Sequence, residues 1–342
     1  MSVEHRGLIR CFSWDFIMRS LLLILLWATG SLQTLAANRV TTAQLENVVS
    51  AARHKSDAQA ARQISGLELT ERLNTSRLSS CVASLPGPHA KEALLAIADM
   101  SAFLDPPTSE VPNLAEPDPA AQREVVTLAV HYASMTMHNL PNLFAARVTT
   151  TFKQDLGSRK PLHPVGRFRA RVLYRDGDER EQPIGRGGME KGLTTSGEFG
   201  PILGTALLDA AQGNLTWSHW EQSADGPAAV FTYAVNAKQS HYKVENRTTA
   251  YQGEIAIDPS NGTILRIALR SDPATDNSLS RAADIVVEYG PVELGGKRYI
   301  CPLKGVALSQ GWQDSWLNDV VFEQYHLLRS NMRILPDFSP IQ

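Results

Sequence analysis

From about Phe144 onward, the chain is a run of strand-like segments separated by turn signals and almost never by a helix. In the first clear segment, Phe168, Ala170, Val172 and Tyr174 alternate with arginines, which is the period of two expected from a half-buried strand. Similar segments cover residues 215–220, 230–235, 242–246, 251–257, 263–270, 285–289, 298–308 and 320–328. Turn signals between segments include Asp176-Gly177, Asp225-Gly226-Pro227, Asn261-Gly262 and Gly295-Gly296. This succession predicts a large antiparallel meander, which must curl, close or take a second layer to bury its apolar face and protect its edges.

The residues before the meander follow a helical pattern. Leu45, Val48, Val49 and Ala52 recur at the three-and-four spacing of an apolar helix face. We therefore predict an α+β protein, with an N-terminal helical domain followed by a large curled antiparallel β-sheet, a half-open barrel with one or two covering helices. The expected organisation is a helical domain at 40–104, a proline-rich linker at 105–119, a connecting helix at 120–139 and a sheet domain at 140–336, interrupted by a helix over 201–211.

The first 36 residues have the layout of a secretory signal peptide. Arg6, Arg10 and Arg19 precede an apolar run over 21–27, and small residues follow up to Ala37. The run is shorter than the roughly 20 helical residues that span a bilayer. We expect cleavage and a periplasmic or secreted protein without an integral membrane span; the alternative is an uncleaved N-terminal anchor.

The cysteines and the charge balance limit the classes of protein to which this chain can belong. Removal of the signal peptide removes Cys11, so Cys81 and Cys301 are the remaining pair in an oxidising compartment, either as a disulfide or as two separate buried thiols. No cysteine follows the apolar run at a lipidation position, which favours a soluble exported protein. The 33 Lys and Arg residues against 35 Asp and Glu residues give no basic excess for nucleic acid.

Motifs for catalysis are missing from the sequence. The glycine-rich segment 185–194 lacks the Gly-Lys-Ser/Thr ending of a phosphate loop, and the acidic turn 176–181 has Arg180 where a calcium loop needs an oxygen ligand. The histidines do not have metal-ligand spacing, and Ser196 lacks the flanking glycine of a nucleophile elbow. We predict no catalytic residue, no metal and no cofactor.

Two strand-turn-strand segments resemble the outer-membrane lipoprotein carrier superfamily. The first is Tyr251 to Pro259 followed by Gly262 to Arg266, and the second is Val287 to Val292 followed by Gly295 to Pro302. The resemblance covers the C-terminal domain only, at most residues 140–336. It implies a half-open antiparallel barrel, lidded by helices, that shields lipid chains or senses envelope proteins without a cofactor or catalytic residues.

These observations predict an envelope binding protein that holds an apolar ligand, either a lipid or acyl chain, or a protein segment in its curled sheet. The residues expected to line the concave apolar face are Phe168, Val172, Tyr174, Phe231, Tyr233, Leu265 and Ile267. Core packing is the alternative for the aromatic members of this set, and the matching alternative function is a structural protein with a fully packed sheet. An exported hydrolase is a third alternative.

The arginines at 167, 169 and 171 form a basic stripe that is either solvated or docks an acidic partner.

Overall fold

A computed structural model describes residues 38–158, 160–184, 193, 197–199, 201–212, 215–244, 247–272 and 282–328. The helices are α1 (Thr42–Ala52), α2 (Asp57–Ile64), α3 (Thr75–Ser84), α4 (Pro88–Met100), α5 (Pro119–Asn139) and α6 (Pro201–Gln212). Short 3₁₀ turns lie at Ser101–Phe103 and Thr108–Glu110. The predicted export signal, residues 1–36, lies outside the described residues, and within them no helix is both long and apolar enough to cross a membrane.

The strands belong to one large sheet and two small ones. They are β1 (Asn38–Val40), β2 (Leu67–Leu69), β3 (Leu143–Asp155), β4 (His163–Arg175), β5 (Asp178–Pro183), β6 (Thr216–Ser223), β7 (Gly226–Val235), β8 (Lys243–Val244), β9 (Arg247–Thr248), β10 (Tyr251–Ile257), β11 (Ile264–Ser271), β12 (Ala282–Leu294), β13 (Lys297–Gln310) and β14 (Asp314–Leu327). The large sheet has ten antiparallel strands in the order β5-β4-β3-β14-β13-β12-β11-β10-β7-β6. The predicted α+β class with a curled, open antiparallel sheet is confirmed.

Helix boundaries follow local capping chemistry. Thr41 and Gln44 form a reciprocal capping box at the start of α1, and Asp118 Oδ1 accepts the backbone N–H groups of Ala120 and Ala121 at the start of α5, at 2.8 and 2.9 Å. Pro88 occupies the first position of α4, where its missing N–H leaves no helical bond unmade.

Both faces of the large sheet are covered. The front face, defined by Phe231, Tyr251, Ile255, Ile267 and Val287, packs against α5 and α6. The back face packs against α4 and the 3₁₀ turn after it, and it is defined by Ala268, Val286, Val306, Leu308 and Leu317. Neighbouring residues on one strand, such as Ile267 and Ala268, therefore point into different cores, as strand geometry requires. A two-sided core explains the consecutive apolar residues at 285–287 of β12 and 306–308 of β13.

The chain passes from the back face to the front face around the edge strand β6. The proline-rich segment between α4 and α5 follows this edge, and Trp220 Nε1 on β6 donates to the carbonyl of Ala115 at 2.8 Å. Arg77 on α3 holds the same segment through Glu110 at 3.2 Å. The opposite edge strand, β5, has the sequence Asp-Glu-Arg-Glu-Gln-Pro. One edge is thus covered by the chain and the other carries charges and a proline, two ways of preventing strand addition.

One part of the strand prediction was wrong. Lys243–Val244, the strand within the predicted segment 242–246, does not join the meander but pairs with β9 in a separate two-stranded sheet. The hairpin predicted at Asp176-Gly177 is present, because β5 pairs with β4 across this turn even though its side chains are too polar to show an alternating pattern. The boundaries predicted between the helical domain, linker, connecting helix and sheet domain stay a prediction.

The turn between β10 and β11 contacts α5 through a glycine. Gly262 has a positive φ of 77°, and a Cβ at this position would collide with the backbone of Leu128 and lie 2.7 Å from the nitrogen of Ala129. Glycine is needed here both for the backbone conformation and for the close approach of the helix.

Gly253 lets an aromatic ring cross the front face. Tyr233 lies opposite Gly253 on the neighbouring strand, and its hydroxyl donates to the carbonyl of Ala268 at 2.8 Å. A Cβ on residue 253 would collide with that carbonyl oxygen and lie 2.7 Å from Tyr233 Oη.

We therefore expect Gly253→Ala to lower the free energy of unfolding by about 1–3 kcal/mol through overpacking. Gly157→Ala is the matched control, because nothing lies within 4 Å of a Cβ at that turn position. Urea unfolding of the two variants measures the difference, and equal stability would show that the space above Gly253 is not constrained.

Candidate functional site

Three of the seven residues predicted to line an apolar face come together beneath α5 and α6. Phe231, Tyr233 and Ile267 are 1 to 3% exposed and belong to one front-face cluster. The sheet contributes mostly large side chains to this cluster, whereas the two helices contribute four alanines, Ala129, Ala133, Ala206 and Ala210, beside Val125, Ile202, Leu203 and Leu207. Half of the buried helix side chains in the cluster are thus small, which makes the helices a thinner cover than the sheet beneath them.

The other four predicted residues are distributed differently. Val172 and Tyr174 are buried in a second cluster, where the Tyr174 ring stacks on Phe199 with 6.0 Å between the ring centroids. Phe168 and Leu265 are partly exposed and belong to neither cluster. The structure therefore separates the predicted lining into a covered centre, a second core and two peripheral side chains.

Helix α6 is attached to the sheet by a buried carboxylate. Asp209 has no exposed side-chain area, and it accepts hydrogen bonds from the hydroxyl of Tyr251 at 2.7 Å and from the backbone N–H of His241 at 2.8 Å. His241 Nδ1 lies 2.5 Å from the other carboxylate oxygen. Burial raises the pKa of Tyr251, and the hydrogen bond to Asp209 adds to this effect, so the phenol stays a donor. We call Asp209, Tyr251 and His241 the α6 latch.

A pocket of about 210 Å³ lies on the other side of the sheet, between the back face and the residues that follow α4. Its floor is formed by side chains of neighbouring strands, including Gln252, Glu254, Arg266 and Arg270, and its wall includes Arg72 and the segment 102–105. The sequence did not predict this pocket. The arginines of β11 were visible as the polar half of a strand, but only the packing of the helical segment turns that half into the floor of a pocket.

The pocket borders a buried ionic network. Glu221 pairs with Arg72 Nη2 at 2.5 Å and with Arg266 Nη2 at 2.9 Å, and Arg266 also lies 3.3 Å from Glu254. Burial alone would raise the pKa of Glu221, but the charges of Arg266 and Arg72 outweigh this and lower it well below its usual range. The network joins the helical segment to β6 and β11.

A second buried ionic contact joins α4 to the back face. Lys304 Nζ lies 2.6 Å from Asp99 Oδ1 and 3.3 Å from Asp319 Oδ1. Burial, together with the neighbouring charge of Asp319, raises the pKa of Asp99 to about 8, and Lys304 opposes this shift only in part. With its pKa raised to about 8, the Asp99 carboxyl is mostly protonated at neutral pH.

The structure distinguishes the two states proposed for the cysteines. Cys81 and Cys301 are free, buried thiols in two different clusters, so the suggested disulfide is not formed. Burial raises the pKa of Cys301 to about 12, which keeps this thiol protonated and unreactive.

The remaining candidates from the sequence are the basic stripe, metal-ligating side chains and the glycine-rich segment. Arg169 pairs with Glu323 at 2.6 Å and Arg171 lies over the Phe144 ring, so two of the three residues in the basic stripe have partners within the chain. Within the described ranges, no cluster of three or more His, Cys, Asp or Glu side chains is arranged to hold a metal ion. The glycine-rich segment 185–194 lies outside the described residues, except for Leu193.

Comparisons with known proteins give structural matches only. No protein-family model and no curated protein matches the chain. A LolA superfamily protein from Nitrosomonas europaea is 11% identical, with 61% of this chain and 94% of that chain covered and a TM-score of 0.27. A domain from Vibrio parahaemolyticus described as outer membrane lipoprotein-sorting is 9% identical, with 62% and 96% covered and a TM-score of 0.31. The first match names the superfamily that the sequence resembles; the proposals below rest on the contacts of this chain.

The Asp99 site predicts how stability depends on pH. Because the pKa of Asp99 is higher in the folded state than its ordinary value of 3.8, the folded state binds more protons between pH 4 and about 8. Its contribution to stability is therefore complete at low pH and is lost as the pH rises through about 8. Asp99→Asn should remove up to about 1.4 kcal/mol per pH unit of this decline.

Asp155→Asn is the control for this measurement. The Lys153 hydrogen bond and charge lower the pKa of Asp155, so its contribution changes only at more acidic pH. Urea unfolding between pH 5 and 8 compares the two variants with the wild type. If the slope of Asp99→Asn equals that of the wild type, Asp99 is ionised in the folded protein throughout this range.

Proposed function

We propose that this chain is a non-catalytic binding protein of the cell envelope, exported by its N-terminal signal, that holds an apolar ligand on the front face of its curled sheet. The ligand is an acyl chain of a lipid or an apolar protein segment. The observation that carries the proposal is the composition of the front-face cluster, in which large side chains of the sheet are covered by an alanine-rich pair of helices.

Binding in this proposal requires α6 to move away from the sheet. An apolar ligand can replace the contacts that Ile202, Leu203 and Leu207 make with the front face, so the buried apolar area is conserved in the exchange. The hydrogen bond from Tyr251 holds α6 on the sheet, but a buried carboxylate makes the movement less costly than an apolar residue would, because Asp209 recovers its hydration when α6 leaves. A helix with an apolar residue at position 209 would bind the sheet more permanently.

The latch supplies a test with a matched pair of variants. Tyr251→Phe removes the hydroxyl that donates to Asp209, whereas Tyr233→Phe removes a hydroxyl that donates to Ala268 within the sheet. Both rings are buried in the same cluster, and the T-shaped contact between them, with centroids 5.8 Å apart, can persist in each variant.

We expect Tyr251→Phe to bind a pyrene-labelled long-chain fatty acid at least about tenfold more tightly than the wild type. Loss of a hydrogen bond to a charged group weakens the attachment of α6 by about 1.5–3 kcal/mol, and a larger open fraction gives a tighter apparent affinity. Tyr233→Phe should bind like the wild type. Fluorescence titration measures all three proteins, and equal tightening in both variants would contradict a role for the latch.

A structural role with a permanently packed sheet is the second candidate. It is favoured by the coverage of both faces by helices of the same chain. If the wild type and Tyr251→Phe both fail to bind the pyrene-labelled fatty acid, this second function replaces the first.

A further inference from the structure

The back-face pocket has the features of a binding site for a small organic anion. Its charged floor lies on the opposite side of the sheet from the proposed ligand face, because Arg266 and Arg270 point to the opposite side of β11 from Ile267 and Leu269. Tyr233 belongs both to the front-face cluster and to the lining of this pocket. The pocket volume of about 210 Å³ is below the roughly 300–1,000 Å³ of pockets for drug-sized ligands, which favours a small molecule.

Arg266 presents an unused hydrogen-bond donor at this pocket. Its side chain is 7% exposed, and Nη2 makes the contacts with Glu221 and Glu254. Within the part of the chain that the structure describes, the buried Nη1 atom has no hydrogen-bond partner. Buried guanidinium N–H groups almost always have a partner, so an unpartnered one at a pocket wall indicates that a ligand supplies the acceptor.

Arg270 supplies the second donor of the pocket. It is exposed at the pocket, and its guanidinium lies 5.8 Å from the centre of the Phe103 ring. Among the described residues it forms no ion pair; Asp284 on the next strand senses its charge but lies beyond ion-pair distance. Arg72 and Arg266 are paired with Glu221 and Glu254, whereas Arg270 and the exposed Asp105 are the two remaining charged residues of the lining.

The remaining surface of the pocket selects the kind of anion. Ala102, Phe103, Leu104 and Ala268 provide apolar walls beside the arginines. A guanidinium group binds a carboxylate through two parallel N–H···O bonds, and the Asp105 carboxylate in the lining repels a phosphate dianion more strongly than a monoanion. We propose that this pocket binds a small organic carboxylate, with Arg270 and Arg266 holding the carboxylate and Phe103 contacting the apolar part.

Isothermal titration with pentanoate tests the site, and pentanamide serves as the neutral ligand of the same size and shape. We expect pentanoate to bind the wild type and pentanamide to bind at least tenfold more weakly. Arg270→Gln should weaken pentanoate binding at least tenfold. Arg298→Gln, which removes an exposed arginine from β13 outside the pocket, should leave binding unchanged.

Gln252→Glu provides a second variant that keeps both arginines. It places a negative charge on the pocket floor at an exposed position, and it should abolish pentanoate binding while leaving the far-ultraviolet circular dichroism spectrum unchanged. Absence of pentanoate binding to the wild type, or equal loss in Arg270→Gln and Arg298→Gln, would overturn the proposal. Tighter binding of inorganic phosphate than of pentanoate, with the same dependence on Arg270, would overturn the assignment to a carboxylate.

The binding experiments distinguish failure of the back-face site from failure of the proposed front-face function. Arg270→Gln and Gln252→Glu leave the front face and the α6 latch untouched, so both should bind the pyrene-labelled fatty acid like the wild type. A protein that binds pentanoate but no long-chain fatty acid would retain the back-face site and lose the front-face function.

Discussion

Ten antiparallel strands in one open sheet leave two apolar faces to be covered and two edges to be protected from strand addition. The helices and the proline-rich segment of this molecule are placed accordingly. Helices α5 and α6 cover the front face, and α4 with its 3₁₀ turn covers the back face. The proline-rich segment between them follows the β6 edge, where Trp220 bonds to Ala115. One chain thus supplies both covers and protects an edge between them.

The two covers are attached by different means. On the back face, Asp99 and Arg72 join the helical segment to the sheet through buried contacts with the charged groups of Lys304 and Glu221. Removal of Asp99 or Arg72 is costly, because Lys304 or Glu221 is then left buried without this partner, so these contacts fix the position of the helices. On the front face, the carboxylate of Asp209 joins α6 to the sheet, and it is bonded to neutral groups and to a histidine that is 66% exposed. In the proposed function, α6 is therefore the cover that leaves the sheet at lower cost.

The sequence predicted what depends on local pattern. Alternating residues on β4 and β11 and the turns at Asp176-Gly177 and Asn261-Gly262 were sufficient to predict the sheet, whereas the expected ligand-lining role of Phe231 and Ile267 stays a prediction. Features that depend on contacts between residues far apart in the chain could not be predicted from the sequence. Arg266 reads as a solvated residue until Arg72 and Glu221 enclose it, and β5 becomes a strand only through its bonds to β4. The α6 latch was invisible for the same reason, since Asp209 and Tyr251 are 42 residues apart.

The central claim is that α6 is a displaceable cover over the front face. Hydrogen exchange of backbone amides, measured with and without a saturating long-chain fatty acid, tests it directly. The account predicts faster exchange for the amides of α6 when the ligand is bound and unchanged exchange for α4 on the back face. Slower or unchanged exchange in α6 with the ligand bound would show that the helix stays on the sheet, and would contradict the account.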